Sequence, residues 1–227
     1  MASEQQPTWE WPAYTKVVHR SVYEAIDPTN PINSTAGKVV VVTGELPQAL
    51  EPISKMNNTP PKNTLLTKPS GGASGVGLAI AQSFVRSGSK AVILLGRRTP
   101  ILSAAKKDLE ALGSSQILTF PVDVADETAL NSAFAATEQA VGKVDIVVAC
   151  AGYMPDFAPA AVAEIGDWWK AFEVNVLGLV LTFRAWLPHK SHANGTPSFV
   201  YVNAGEYVRR ELPTSRWVGV HCRCAAC

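Results

Sequence analysis

Apolar residues along this chain follow two rhythms. Short, unbroken aliphatic runs occur in GKVVVVTG, KAVILLG, QILTFPVDV, VDIVVACAG and SFVYVNAG. Runs of this length, rich in β-branched residues, suit strands buried on both faces of a parallel sheet. Between them apolar residues return every three or four positions, the helical period. Residues 77–87 carry Leu78, Ile80, Ala81, Phe84 and Val85 on one such face. Residues 100–112 start with a proline, which the first helical turn accepts. Residues 126–141 follow Asp126, a plausible N-cap, and a longer helix spans 166–187 before Pro188. Strands alternating with helices predict β-α-β units with right-handed crossovers, hence an α/β fold with a doubly wound parallel sheet. The pattern stops after the fifth strand.

Three segments break the rhythm. Residues 1–36 are polar, aromatic and proline-punctuated, and read as an extension that wraps the surface. Residues 45–70 contain Pro47, Pro52, Pro60, Pro61 and Pro69 among polar residues, which predicts a long exposed loop. Residues 204–227 show neither period. The expected organisation is therefore an extension at 1–36, one domain at 37–203 with an insertion at 45–70, and an irregular tail.

Composition narrows the class. The chain has 227 residues, 47% of them hydrophobic, and a formal net charge of +1. That suits one α/β domain with a sizeable core and gives no electrostatic footprint for nucleic acid or an acidic membrane face. No apolar run is expected to reach the length of a membrane span, and the polar start does not read as a signal peptide, so a cytoplasmic protein is expected. Cys150 lies in an apolar run and reads as a core thiol. Cys222, Cys224 and Cys227 crowd the end beside His221. No fold is evident there to orient ligands, so no metal site is expected.

Candidate chemistry lies at residues 71–77. Gly71, Gly75 and Gly77 form G-x-x-x-G-x-G, with Ser74 and Val76 between them, and open the first helix. Such glycines permit a tight turn, close approach of backbone to a pyrophosphate, and close helix–sheet packing. The helix N-terminus then offers free N–H groups to the phosphates. The pattern should follow directly on a buried strand, yet VVVVTG ends at Gly44. Removing 27 residues, a whole number of codons, leaves VVVVTGGASGVGLAIA without a break. A retained short intron accounts for this better than an evolved loop, and an out-of-frame or intronic read-through accounts likewise for the tail after residue 202 or 203.

With that join the chain resembles the short-chain dehydrogenase/reductase family, whose glycine motif is T-G-x-x-x-G-x-G. PVDVAD resembles the family's segment after the third strand, which implies that Asp123, with Val124, meets the adenine. ACAG stands where the family has N-N-A-G, ending at Gly152. FEVNVLG matches the helix that bears a structural and catalytic asparagine, here Asn175. The resemblance covers residues 38–44 and 72–203. It implies a Rossmann-like sheet in the order 3-2-1-4-5 and hydride transfer between a nicotinamide cofactor and a small-molecule alcohol or carbonyl substrate. The second strand ends in Gly96-Arg97-Arg98, without the acid that reads a ribose 2′-hydroxyl. A guanidinium can pair with a 2′-phosphate, so Arg97 favours NADP over NAD.

The resemblance also shows what the chain lacks. Gly205 stands where the family's serine belongs. Tyr207 has Glu211, not lysine, four residues on, and the last lysine is Lys190. Catalysis as written is therefore expected to be impaired. Two alternatives stand beside an active oxidoreductase: a non-catalytic nucleotide-binding protein, and a non-functional fragment. Without the family's further helices, Val176, Leu179, Val180 and Phe183 should form an exposed apolar face that favours homo-oligomers.

Overall fold

The fold was read from a computed structural model, which describes residues 22–44, 75–155, 161–193 and 195–203. Five strands form one parallel sheet: β1 Val39–Thr43, β2 Ala91–Gly96, β3 Gln116–Pro121, β4 Ile146–Ala149 and β5 Ser198–Tyr201. Their order is β3-β2-β1-β4-β5, as the resemblance implied. Each aliphatic run became a strand because helices cover both sheet faces. β1 and β2 are buried along their whole length.

Side chains alternate across the sheet and so feed two cores. Val41 pairs in register with Ile93 and Val147, and these residues pack with Leu130, Phe134, Leu181 and Trp186 on one face. Val40, Val42, Val92 and Leu94 turn to the other face and meet Ala81, Val85, Leu102 and Leu109. The helices supplying these contacts are α1 Val76–Arg86 and α2 Thr99–Glu110 on one side. On the other lie α3 Glu127–Val141 and α5 Gly178–Trp186. Pro100 falls in the first turn of α2. Asp126 caps α3, its Oδ1 accepting the Ala129 N–H at 3.0 Å.

The expected single helix at 166–187 is divided. α4 Ile165–Phe172 passes into a π-helical turn, Glu173–Leu177, before α5, and a 3-10 turn, Leu187–His189, ends the run. A π turn widens the helix by one residue and is common at functional sites; here it carries Asn175. The expectation that no apolar run reaches membrane-spanning length is also corrected. Ile165–His189 is a 25-residue helical run whose most apolar 18-residue window has a mean hydropathy of 1.2, long and apolar enough by length and composition to cross a membrane. The run is apolar on more than one side because Leu181, Ala185 and Trp186 fill the core while Val180 and Phe183 are 48% and 40% exposed. Val176 and Leu179, expected on the same exposed face, are only partly covered.

Opposite the strand ends that carry the candidate residues, Asp145 ties three strands together. It is 4% exposed, and its Oδ2 accepts the Val39 N–H at 2.8 Å. Its own N–H donates to the Val39 carbonyl, and its carbonyl accepts from the Ser198 N–H. Of the expected N-terminal extension, residues 22–36 are described. They form two short 3-10 turns and bridge the sheet at Ala36–Ser89.

Candidate functional site

Strand order reverses at the C-terminal ends of β1 and β4. β1 has β2 on one side and β4 on the other, so the connecting chains leave in opposite directions and open a crevice. In α/β sheets ligands bind at such a switch point. The crevice is lined by Gly44 beyond β1, by Gly96 and Arg97 at β2, and by Val122, Asp123 and Val124 beyond β3. Ala151, Gly152 and Tyr153 beyond β4 complete it, with Val174 of the π turn.

The two glycines are there for want of space. Gly44 has φ +134°, and a Cβ on it would lie 3.0 Å from the Cys150 carbonyl oxygen. A Cβ on Gly96 would lie 3.0 Å from the Gly44 carbonyl oxygen. The ends of β1, β2 and β4 therefore close on one another without side chains, and backbone forms the floor. α1 starts at Gly75, whose φ of +112° turns the chain into the helix. Gly77 is buried in the first turn, while Val76 is 41% exposed.

At the β3 end, Val122 donates its N–H to the Gly96 carbonyl at 2.9 Å. Asp123 Oδ1 accepts the Ala125 N–H at 3.0 Å, closing a local turn. Val124 is buried under Gly178, where a Cβ would lie 2.7 Å from Val124 Cγ2. The glycine of N-V-L-G thus lets α5 press on the segment that carries Asp123.

At the β4 end, the Cys150 N–H donates to the Thr43 carbonyl at 3.1 Å. Burial pushes the Cys150 thiol upward from its ordinary range, so it stays protonated at neutral pH. Asn175 engages the next turn from the π helix. Its Oδ1 accepts the Tyr153 N–H and its Nδ2 donates to the Tyr153 carbonyl, each at 2.8 Å. The phenol of Tyr153 donates to Asp167 Oδ1.

The candidate residues Gly75, Val76, Gly77, Arg97, Asp123, Val124, Gly152 and Asn175 are all described. Arg97, Asp123, Val124 and Gly152 share the crevice, and Asn175 reaches it through Tyr153. Gly71 and Ser74 lie outside the described residues, as do 45–70, Gly205, Tyr207 and the cysteine-rich end. Gly44, which ends GKVVVVTG and completes the glycine motif when joined to GASGVGLAIA, lies beneath the crevice, whereas the contiguous pattern pointed to Gly71. Sequence reasoning missed Tyr153 and Asp167, which no motif singles out, and gave no role to Gly178, although that residue closes FEVNVLG. Among the described residues no cluster of His, Cys, Asp or Glu could hold a metal ion.

The family model described as short chain dehydrogenase matches residues 68–213. Short chain dehydrogenase andI of Emericella variicolor is 36% identical over 122 residues, covering 52% of this chain and 42% of that protein. Short chain dehydrogenase/reductase AacuD of Aspergillus aculeatus is 27% identical over 191 residues, covering 84% of this chain and 55% of its own length. The chain thus spans about half the length of these curated relatives. Among solved structures, a short-chain type dehydrogenase/reductase from Mycobacterium ulcerans aligns with a TM-score of 0.57 at 24% identity, over 74% of this chain and 51% of that one. L-Sorbose reductase from Gluconobacter frateurii, complexed with NADPH and L-sorbose, aligns with a TM-score of 0.55 at 24% identity, over 74% and 52%. These structures share the Rossmann-like fold. With the family match spanning more than half of its residues, the chain belongs to the short-chain dehydrogenase/reductase family of oxidoreductases.

Proposed function

We propose that this chain is the cofactor-binding part of an NADP-dependent oxidoreductase, transferring hydride between NADP(H) and a small alcohol or carbonyl compound. The observation that carries the reading is Arg97 on the wall of the switch-point crevice, at the end of β2. An acid there would repel a 2′-phosphate, whereas a guanidinium can take it bidentately. Asp123 and Val124 would meet the adenine, Gly75–Gly77 with the N-terminus of α1 the pyrophosphate, and Gly152 the far ribose. The cofactor would supply or accept the hydride. The chain's own part is to hold it, keep water out and place its reacting face. In this reading Asn175 acts by holding Tyr153, and the protein works in the cytoplasm, with a second copy on the exposed side of α5.

A second reading is favoured by one observation. No described tyrosine is followed four residues later by a described lysine, so the family's Tyr-x-x-x-Lys arrangement is not found among the described residues. The chain as written would then bind nucleotide without turning over. Titration with NADPH and NADH, followed by a carbonyl-reduction assay on aldehydes and ketones, separates the two. NADPH binding with turnover supports the first, NADPH binding alone the second, and no binding of either cofactor refutes both.

A further inference from the structure

Tyr153 leaves the end of β4 and lines the crevice, and three side chains from the helical run beyond converge on it. The Asn175 amide engages its backbone on both sides. Asp167, in the first turn of α4, accepts its phenolic proton. Lys170, three residues on, places Nζ 5.3 Å from the ring centroid. Residues i and i+3 share a helix face, so α4 presents an anion and a cation together to one aromatic ring. The same helix has little else to hold it. Ala171 is its one buried residue, and Ile165 and Trp169 are 67% and 55% exposed. A helix of eight residues needs tertiary contacts to persist, and Tyr153 supplies them.

We propose that Tyr153 is a positioning residue for the reacting half of the dinucleotide, locked by Asp167 and Lys170, so that the docking of α4 sets how tightly that half is held. A dinucleotide that crosses the switch point lays its adenine half over β2 and β3 and its other half over β4. Arg97 and Asp123 belong to the first side, Tyr153 to the second. Freeing the phenol therefore acts on the nicotinamide half and spares the adenine half. The inference rests on the cofactor reading above, and the experiment keeps the two apart.

The full chain is titrated with NADPH and with adenosine 2′,5′-bisphosphate, which carries the adenine half alone. Hydrogen exchange of the ligand-free segment 150–155 is followed in parallel. Tyr153→Phe and Asp167→Leu should each weaken NADPH about tenfold, the loss of one hydrogen bond to a charged group. Bisphosphate affinity should hold within about twofold, a change too small to reflect a lost contact. Segment 150–155 should exchange faster in both variants. Asp167→Asn keeps a carbonyl acceptor and should stay close to wild type, which a merely structural lesion would not predict. Equal weakening of both probes, unchanged NADPH affinity, or unchanged exchange in Tyr153→Phe would each overturn the positioning role while leaving the cofactor reading intact. Failure of the wild-type chain to bind either probe would overturn both.

Discussion

Deleting residues 45–71 should stabilise this protein and improve the proposed cofactor site. The reasoning starts from Gly44. Its φ of +134° and the 3.0 Å gap between a hypothetical Cβ and the Cys150 carbonyl reserve that position for glycine. Gly75, at φ +112°, begins α1. In the family's glycine motif three residues separate two such glycines; here 45–74 separate them. Removing 45–71 joins Gly44 to Gly72-Ala73-Ser74 and restores T-G-x-x-x-G-x-G in one stretch. Gly44, rather than Gly71, then supplies the first glycine.

Loop closure costs about (3/2)RT ln n, so shortening a connection from ~30 residues to ~3 lowers the cost of folding by about 2 kcal/mol. For a chain of this size that raises Tm by roughly 4–8 °C. Binding should improve as well, because a short loop holds its N–H groups where the phosphates arrive. NADPH affinity should rise by about tenfold or more, on the order of 1.4 kcal/mol. Thermal melts and NADPH titrations of the full and deleted chains measure both. An unchanged or lower Tm, or a loss of NADPH binding, would refute the reasoning and make 45–71 part of the site. Sequencing the transcript is an independent check: a message carrying these codons as written would remove the retained-intron explanation.

Four further outcomes follow. Arg97→Asp should weaken NADPH by about tenfold or more and leave NADH binding unchanged, since charge-assisted hydrogen bonds to a 2′-phosphate are the strong ones; equal loss of both cofactors would sink the 2′-phosphate role. On the second, non-catalytic reading the chain as written should reduce no aldehyde or ketone measurably, because loss of the proton donor alone costs about 10²–10⁴-fold; turnover abolished by Tyr207→Phe would overturn that reading. Gly178→Ala forces a methyl to within 2.7 Å of Val124 Cγ2. It should cost about 1–3 kcal/mol and weaken cofactor binding by shifting Val124; a melting curve and titration matching wild type would contradict the close packing. Asp145→Ala strands the buried Val39 N–H and should cost about 1.5–3 kcal/mol, with Asp145→Asn milder because a carbonyl acceptor remains; denaturant unfolding measures the difference, and equal losses would argue against the bond to Val39.

The strands were legible because burial on both faces demands uninterrupted aliphatic residues, and VVVV and AVILL satisfy it with nothing polar between. Asp126 was legible as a cap because its role is local, a bond to an N–H three residues on. The π turn was not legible. Glu173–Leu177 keeps the apolar period of an ordinary helix, and the extra residue shows only in how Asn175 meets Tyr153, 22 residues away. Gly44 was legible only through the join to GASGVGLAIA, for a related reason. The glycine pattern was read where it is contiguous, at 71–77, whereas the space that excludes a side chain is set by Cys150, over a hundred residues further along.

The same distinction explains why candidates for the cofactor side of the site could be proposed from sequence and candidates for the substrate side could not. Arg97 and Asp123 stand at strand ends, and a strand end is fixed by the run before it. Tyr153 has no such marker. Its place in the crevice depends on Asn175 from the π turn and on Asp167 and Lys170 from α4. The part proposed to position the reacting half is therefore held by long-range polar contacts on a lightly anchored helix. The part proposed to bind the adenine half is held by the sheet. Substitutions that loosen α4 should accordingly change discrimination at the reacting end long before they disturb the fold, because the sheet's two cores take nothing from α4.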